Sequence, residues 1–271
     1  MLYKGLVTEQ VMKYRKKFKS LSNSRMKIIK TIIILFLSGL LLSLIIAGIV
    51  IVNTWGRTLI QVDIHQNKKL IHLSSFAEPP QFAIWLENPG TKELKTVFVT
   101  HRVAIDDWEG KTNVPVALPQ WFKLFRGNGS PGKDLLSAKD PDMAITGATP
   151  KDDYFSIRVE VKPGSEWICW IEMNLAGDFN DAFPEFNKDA YLEDEYSNGQ
   201  PALLFKADVE AIENHNYITV LTAQSIWENG LVRVEPVSDG ITSARYVFDT
   251  IRISVIRPKP KLIDKNKFRD F

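Results

Sequence analysis

The sequence predicts a mainly β protein: an antiparallel β-sandwich of the immunoglobulin or jelly-roll type, preceded by one transmembrane α-helix. Three observations lead to this prediction. An uncharged apolar run lies near the N-terminus, many later segments alternate apolar and polar residues, and no later segment has the long apolar period of a helix. The 271 residues, 45% of them hydrophobic and 24% charged, have the composition of a globular protein.

The apolar run extends from Thr31 to Val52 and contains 22 residues without a charge. As a helix it would be about 33 Å long, enough to cross the hydrocarbon core of a bilayer. The alternative is a signal peptide, which has a shorter apolar part and a cleavage site with two small residues. The residues before Asn53 do not fit that site, so we predict an uncleaved anchor, with Trp55 at the outer interface of the membrane.

The distribution of charge predicts the orientation of this anchor. Residues 1–53 carry nine Lys and Arg residues against one acidic residue, Glu9, and only Arg57 follows closely on the other side. Basic segments stay in the cytoplasm, so we predict a single-pass protein of the cytoplasmic (inner) membrane with its N-terminus inside. The predicted divisions are a cytoplasmic basic segment at 1–30, a transmembrane anchor at 31–53, an extracytoplasmic β-sandwich at 54–257 and a basic C-terminal tail at 258–271.

The basic segment also has an apolar stripe at helical spacing, formed by Val7, Val11, Tyr14, Phe18 and Leu21. A basic amphipathic helix on the lipid surface is one interpretation of it, and a simple topology signal is the other, which we favour. The chain after residue 53 carries a net charge of −6. An acidic domain has no electrostatic attraction for a phosphate backbone, so we exclude nucleic acid as a partner and keep the lipid bilayer.

Period-two alternation predicts the strands of the exported domain. In the clearest case Phe155, Ile157, Val159 and Val161 alternate with polar residues, as in a half-buried strand. Strands are predicted at 81–87, 94–100, 155–161, 166–173, 202–210, 216–221 and 246–256, with additional ones at 59–64 and 69–73. Without a helix long enough for a parallel crossover, two packed antiparallel sheets are the expected way to bury these faces.

Two long connections, 101–154 and 174–200, interrupt these strands. Loops of this length usually carry a function or contain short helices. The aromatic segment Leu118–Phe125 is expected to pack back onto the sandwich as a cover. The single Cys169 excludes an internal disulfide, and its place in a strand predicts a buried, inert thiol.

No motif of a known catalytic class is visible. The four histidines lack the spacing of a zinc site, and neither G-x-S-x-G nor S-x-x-K occurs. We therefore predict no catalytic residue and favour a non-enzymatic protein. The remaining hydrolase hypothesis, with an envelope polymer as substrate, would rely on Glu172 and Asp178 as its pair of carboxyl groups.

The segment Gly177–Pro201 combines seven acidic residues with five aromatic ones. Oxygen ligands in one loop are what calcium requires, and Asp178, Asn180 and Asp181 lie close enough in sequence to share an ion. The spacing does not match an EF-hand, so a solvated acidic loop is the alternative that we favour. The aromatic residues of the same loop could form a binding face or fold the loop down.

The segment Met143–Pro150 resembles the short motif on which flavin transferases attach FMN to a threonine, here Thr149. Gly147 would supply the tight turn that this chemistry requires. The motif usually has an acidic residue where this chain has Met143, and Asp142 lies one position too early. The alternative is a structural turn before the strand at 155–161.

Several blocks together resemble a bacterial family of predicted periplasmic proteins with a domain of unknown function. These blocks are PQFAIWLE, TVFVT, VALPQW, ITGATP, WICWIEMN, GDFN and NGQPALLF, in this order between Pro80 and Asp208. The resemblance implies export, a β-rich fold and association with a membrane flavin or iron-linked redox complex. It also implies one shared feature formed by Trp85, Glu87, Trp121, Glu172, Asn174, Asp178, Asn180, Asn198, Gly199 and Gln200.

The leading hypothesis is a membrane-anchored, extracytoplasmic binding or accessory module that uses loop 174–200. Its ligand-binding candidates are the residues of that shared feature except Gly199, with Asp181 added. Its partner would be a ligand or another envelope protein. The alternative is a redox accessory protein that carries covalent FMN at Thr149.

Overall fold

The structure is a computed structural model that describes Met26 and residues 29–52, 56–105, 117–126, 146–147, 150, 152–194, 197–228 and 231–258. The chain divides into two compact units, Met1–Trp55 with Lys259–Phe271, and Gly56–Pro258. The predictions for the apolar stripe at 7–21, for Thr149 and for the C-terminal tail beyond Pro258 lie outside the described residues.

In the first unit, helix α1 extends over Ile29–Val52, and its mean hydropathy is 2.9. Its 24 residues correspond to about 36 Å, so by length and composition it can cross a membrane, as an anchor or as a signal sequence. Its two serines need no outside partner, because the hydroxyls of Ser38 and Ser43 donate to the carbonyls of Leu35 and Leu40. The predicted apolar span Thr31–Val52 therefore lies entirely within a helix.

The second unit contains four short helices and thirteen strands among its described residues. The helices are α2 (Lys68–Leu73), α3 (His101–Ile105), α4 (Pro119–Arg126) and a 3₁₀ helix (Ser243–Tyr246). The strands are β1 (Thr58–Gln66), β2 (Gln81–Glu87), β3 (Leu94–Thr100), β4 (Thr146–Gly147), β5 (Tyr154–Val161), β6 (Glu166–Asn174), β7 (Phe186–Asn187), β8 (Leu192–Glu193), β9 (Ala202–Glu210), β10 (Asn216–Ile218), β11 (Val220–Glu228), β12 (Leu231–Glu235) and β13 (Phe248–Ile256).

Two large sheets face each other, as the sequence predicts. One has the strand order β10-β13-β1-β5, and the other has the order β12-β11-β9-β6-β2-β3-β4. The short strands β7 and β8 form a separate hairpin. Neighbouring strands are antiparallel except for β3 and β4, which run parallel.

The main core lies between these two sheets. Ile60, Val62 and Ile64 of β1 are buried in it because their side chains alternate with partly exposed residues along the strand. From the opposite sheet, the ring of Phe82 meets those of Phe155 and Phe248 edge-on at 5.1 and 5.2 Å. These contacts between the sheets confirm the predicted sandwich.

The seven-stranded sheet is covered on its other side too, which we call the outer face. Ala83, Trp85 and Leu204 point to this face and pack with Trp121 and Phe122 of α4. Strand β2 is therefore buried on both faces, which explains its nearly continuous apolar sequence. The expected aromatic cover at Leu118–Phe125 is confirmed, and it is a helix.

Three predicted strands differ from the structure. The segment 69–73 is helix α2, whose first turn is capped by the side chain of Asn67. Such a short apolar segment does not distinguish a strand from a helix by periodicity alone. The segment 216–221 is divided between β10 and β11, and β11 continues to Glu228. The last strand begins at Phe248, after the 3₁₀ helix.

Cys169 is fully buried between the sheets, as predicted. Burial raises the pKa of its thiol to about 12, because the charged thiolate would lose its hydration. The thiol therefore stays protonated and unreactive at neutral pH.

Candidate functional site

The carboxyl group of Glu172 holds helix α4 against the outer face. It accepts hydrogen bonds from the backbone N–H groups of Gln120 at 2.9 Å and Trp121 at 2.6 Å, and from the hydroxyl of Ser225. The first turn of a helix has N–H groups without partners in the helix, and a carboxyl group satisfies them well. Glu172 thus joins α4 to strands β6 and β11.

Burial dominates the ionisation of Glu172. The side chain is fully buried, and loss of hydration raises its pKa to about 7, although its three hydrogen-bond donors act in the opposite direction. Both of its carboxyl oxygens already accept hydrogen bonds from within the domain, so neither is left for a substrate. Its geometry is that of a residue that positions α4.

Three other predicted site residues lie on the outer face, one in α4 itself and two in the strand β2 beside it. The indole of Trp121 donates to the hydroxyl of Thr96 at 3.3 Å. The ring of Trp85 lies nearly parallel to that of Trp170, with the centroids 6.2 Å apart. The indole of Trp170 in turn donates to Glu87 at 3.0 Å. Trp85, Glu87, Trp121 and Glu172 therefore lie on one face, whereas the resemblance implies a single feature formed by all ten residues.

A second cluster closes the loop 174–200 at its base. The backbone N–H and the side-chain amide of Gln200 donate to the two carboxyl oxygens of Asp178 at 3.0 and 2.9 Å. The amide also donates to the hydroxyl of Ser243 at 2.6 Å, and its oxygen accepts from the backbone N–H of Thr242 at 2.6 Å. This Asp178–Gln200 cluster joins the two ends of the loop to the segment before β13.

Gly199 is required at this closure. Its φ of +71° lies in the left-handed region, and a Cβ at this position would meet Oδ1 of Asp178 at 2.8 Å and its backbone nitrogen at 2.9 Å. Burial raises the pKa of Asp178 to about 7, against the effect of its hydrogen bonds to Gln200 and Ser243.

The predicted calcium ligands do not fit an ion. The carboxyl oxygens of Asp178 already accept hydrogen bonds from Gln200. The side-chain oxygen of Asn180 accepts from the backbone N–H groups of Ala182 and Phe183, and its amide donates to the carbonyl of Gly240 at 2.9 Å. Across the described ranges no three His, Cys, Asp or Glu side chains form a group that could hold a metal ion.

The two carboxyl groups proposed for hydrolysis, those of Glu172 and Asp178, have different hydrogen-bond partners. Glu172 is bonded to Gln120, Trp121 and Ser225, whereas Asp178 is bonded to Gln200 and Ser243. Each carboxyl group has its own partners and is buried by them. The geometry therefore gives these two groups structural roles and does not support acid–base catalysis by the pair.

A groove remains open between the loop 174–200 and strand β11, and we call it the loop groove. Its volume is about 360 Å³. Its lining includes three amide side chains, a carboxylate, a hydroxyl and an indole, supplied by Asn174, Asn187, Asn198, Glu193, Ser225 and Trp227. Two of the predicted ligand-binding residues, Asn174 and Asn198, lie in this groove.

Asn174 has an unpaired acceptor in this groove. Its side chain is only 2% exposed, and its amide N–H donates to the carbonyl of Gln200 at 3.0 Å. Its oxygen is buried and has no hydrogen-bond partner in the described part of the chain. A buried acceptor without a donor is costly, and a ligand that donates a hydrogen bond would satisfy it.

The hairpin of β7 and β8 forms the rim of the groove and carries exposed apolar residues. Tyr191 is 85% exposed and Leu192 is 66% exposed, and Phe186 is also exposed. The other described aromatic residues of the loop are less exposed, since Phe183 packs against the main core and Phe179 is partly buried. Asp181 is exposed and lines no part of the groove, whereas Glu195 and Tyr196 lie outside the described residues.

Ser225 and Trp227 line the loop groove but were not predicted from the sequence as site residues. Both lie in the second half of β11, beyond the predicted strand end at 221. A β-bulge between Leu221 and Ala223 interrupts the alternation there, so a simple period-two pattern could not extend the strand. The aromatic Trp227, which closely precedes an Asn-Gly pair in the sequence, was the one available signal.

The fold and the groove define a mainly β protein with an N-terminal apolar helix and a preformed cleft beside one sheet. Comparisons with family models, with curated proteins and with solved structures find no match. The resemblance to the periplasmic family therefore stays a prediction from the sequence.

Proposed function

We propose that this chain is a membrane-anchored binding module whose exported domain holds a hydroxyl-rich ligand in the loop groove. The observation that carries the proposal is the buried, unpaired oxygen of Asn174. This oxygen calls for a donor from outside the protein, and the residue that carries it lines a cleft that is open to solvent.

The lining of the loop groove supports a saccharide as the ligand class. Asn198 and Glu193 offer amide and carboxylate groups that pair with hydroxyls, and Trp227 offers an aromatic ring for the apolar side of a sugar. No Lys or Arg lines this groove, so an anionic group would find no counter-charge there. An uncharged oligosaccharide of the cell envelope fits this chemistry.

The anchor supports the location of this ligand. Nine basic residues lie within the first 30 residues, before or at the start of the apolar helix, and the acidic domain follows it. A helix retained in the bilayer with this charge pattern would display the domain on the outer side of the cytoplasmic membrane. Envelope polymers are then within reach.

The test is a binding titration on the full-length chain in lipid nanodiscs, with chitotetraose and maltotetraose as probes. We expect one of them to bind, and we expect Trp227→Ala to weaken that binding at least fivefold through loss of the stacking surface. Tyr154→Ala is the matched control because it removes an exposed aromatic residue from the other sheet. Absence of binding by both probes, or an equal loss in the two variants, would contradict the proposal.

Covalent FMN at Thr149 is the second candidate function. Pro150, which follows Thr149 in the sequence, lines a separate cavity of about 480 Å³ together with the cationic side chains of Lys68 and Arg102. Both cations also pair with carboxylates, Lys68 with Asp153 and Arg102 with Glu78. The test is the intact mass of protein extracted from cells that express a flavin transferase. An unmodified mass would exclude the flavin.

A further inference from the structure

A second cavity, which we call the tryptophan cavity, lies beside helix α4 on the outer face. Its volume is about 370 Å³, and it shares no lining residue with the loop groove. Its walls are mainly apolar and aromatic, formed by Trp85, Trp170, Leu94, Leu124, Leu204 and Val234. Apolar cavities of this size with a few polar groups are typical of sites for small organic molecules.

Two residues that line this cavity have polar groups without partners. The indole N–H of Trp85 and the side-chain oxygen of Gln120 are both buried, and neither has a hydrogen-bond partner among the residues that the structure describes. Trp85 itself is 1% exposed. The first group is a donor and the second is an acceptor, so one ligand with an acceptor and a donor could satisfy both.

The rest of the fold holds these two groups in place. The backbone N–H of Gln120 is bound to Glu172 at 2.9 Å, which fixes the start of α4. The ring of Trp85 packs against Trp170, whose own N–H is bound to Glu87. A site that is already formed loses little ordering entropy when a ligand binds.

The charges at this cavity are already paired. The ammonium group of Lys92 and the carboxylate of Glu87 form an ion pair at 3.3 Å. An ionic ligand would have to compete with that pair, whereas an uncharged ligand leaves it intact.

We propose that the tryptophan cavity binds a small, uncharged carboxamide that carries an aromatic or branched aliphatic group. The carbonyl of the amide accepts from the indole N–H of Trp85, and its N–H donates to the side-chain oxygen of Gln120. The apolar group packs between the leucine side chains and the indole of Trp170. This site is separate from the saccharide groove and does not depend on it.

The test compares two probes of equal size, N-methyl-3-phenylpropionamide and methyl 3-phenylpropionate. The ester keeps the carbonyl acceptor but has no N–H donor. The full-length chain in nanodiscs is labelled with ¹⁵N-tryptophan, and its indole N–H resonances are followed while each probe is added. Trp85→Phe identifies the resonance of Trp85. We expect the amide to shift that resonance and to bind about tenfold more tightly than the ester.

The variant Gln120→Leu removes the unpaired acceptor but keeps the backbone N–H that Glu172 binds. We expect it to reduce the preference for the amide to within about twofold and to leave the affinity for the ester unchanged. Lys123→Leu is the matched control, since it adds the same side chain to an exposed position of α4. A Trp85 resonance that neither probe moves, or an unchanged preference in Gln120→Leu, would overturn the proposal. Both results are independent of saccharide binding in the loop groove.

Discussion

The carboxyl group of Glu172 accepts a 2.6 Å hydrogen bond from the backbone N–H of Trp121, although 51 residues separate the two in sequence. This bond anchors the start of helix α4 on the central strands of the larger sheet. The position of α4 in turn shapes the tryptophan cavity, because Gln120 and Leu124 of this helix form part of its wall.

Replacing Glu172 should therefore destabilise the domain. In Glu172→Leu no acceptor remains for the two backbone N–H groups and the Ser225 hydroxyl, which stay buried. We expect a loss of about 2 to 3 kcal/mol in the free energy of unfolding, the usual cost of an unsatisfied buried group. The measurement is chemical unfolding of the two proteins at pH 5, below the raised pKa of Glu172, so that its ionisation does not enter the comparison.

Glu160→Leu, measured at the same pH, provides the matched control. Its side chain is 48% exposed and pairs with Arg57 at 3.3 Å. Exposed pairs of this kind contribute at most about 1 kcal/mol, so this variant should unfold nearly as the parent does. Equal losses in the two variants would show that Glu172 does not hold α4.

The stability of the domain should decrease as pH rises from about 4.5 to 7. In the unfolded chain Glu172 ionises near its ordinary pKa of 4.5, but in the folded domain its pKa is raised to about 7. Between these values the folded state binds more protons, so the free energy of unfolding falls with rising pH. For Glu172 alone the change is about 3 kcal/mol. Asp178, whose pKa is also raised to about 7, acts in the same direction.

Unfolding curves at several pH values measure this dependence. The variant Asp178→Asn should lose less stability between pH 4 and 7 than the parent, because one of the two carboxyl groups with a raised pKa is removed. A parent protein that becomes more stable over this range would contradict the burial argument.

Gly199→Ala should lower the stability of the domain by more than the backbone strain of an alanine at positive φ alone. The new Cβ would lie 2.8 Å from Oδ1 of Asp178, whereas at Gly164, which has nearly the same φ, it would meet no atom within 4 Å. Gly164→Ala should therefore cost about 1 kcal/mol from backbone strain alone. Gly199→Ala should cost at least about twice as much, because the Asp178–Gln200 cluster must also shift.

Thermal unfolding of both variants tests this comparison. Equal midpoints for the two proteins would show that the contact between Gly199 and Asp178 has no influence on stability.

The strands that the sequence predicted most accurately are β2, β3 and β9. Each is an apolar run bounded by turn or charged residues, and its predicted ends agree with the structure. The burial of β2 on both faces made its signal continuous. In contrast, the alternation of β11 is interrupted by a bulge, and β12 was not predicted because only a few apolar residues mark it.

The candidate site was predicted only in part: Asn174 and Asn198 line the loop groove, whereas Ser225 and Trp227 were not among the predicted residues. Trp85, Glu87, Trp121 and Glu172 do share one face, yet Asp178, Asn180 and Gln200 form a separate structural cluster. The acidic composition of the loop indicated calcium because a sequence does not show which oxygens accept bonds from the backbone. The unpaired oxygen of Asn174 is a property of the folded chain alone.

The proposed function depends most on the membrane anchor and its orientation. Protease added to intact spheroplasts, with one epitope at the N-terminus and another after residue 258, tests it directly. We predict that the C-terminal epitope is lost, that the N-terminal epitope survives on a fragment that includes the apolar helix, and that Edman sequencing finds no mature chain beginning after Val52. Survival of the C-terminal epitope with loss of the N-terminal one, or a chain cleaved after the helix, would contradict the proposal of an anchored outer module.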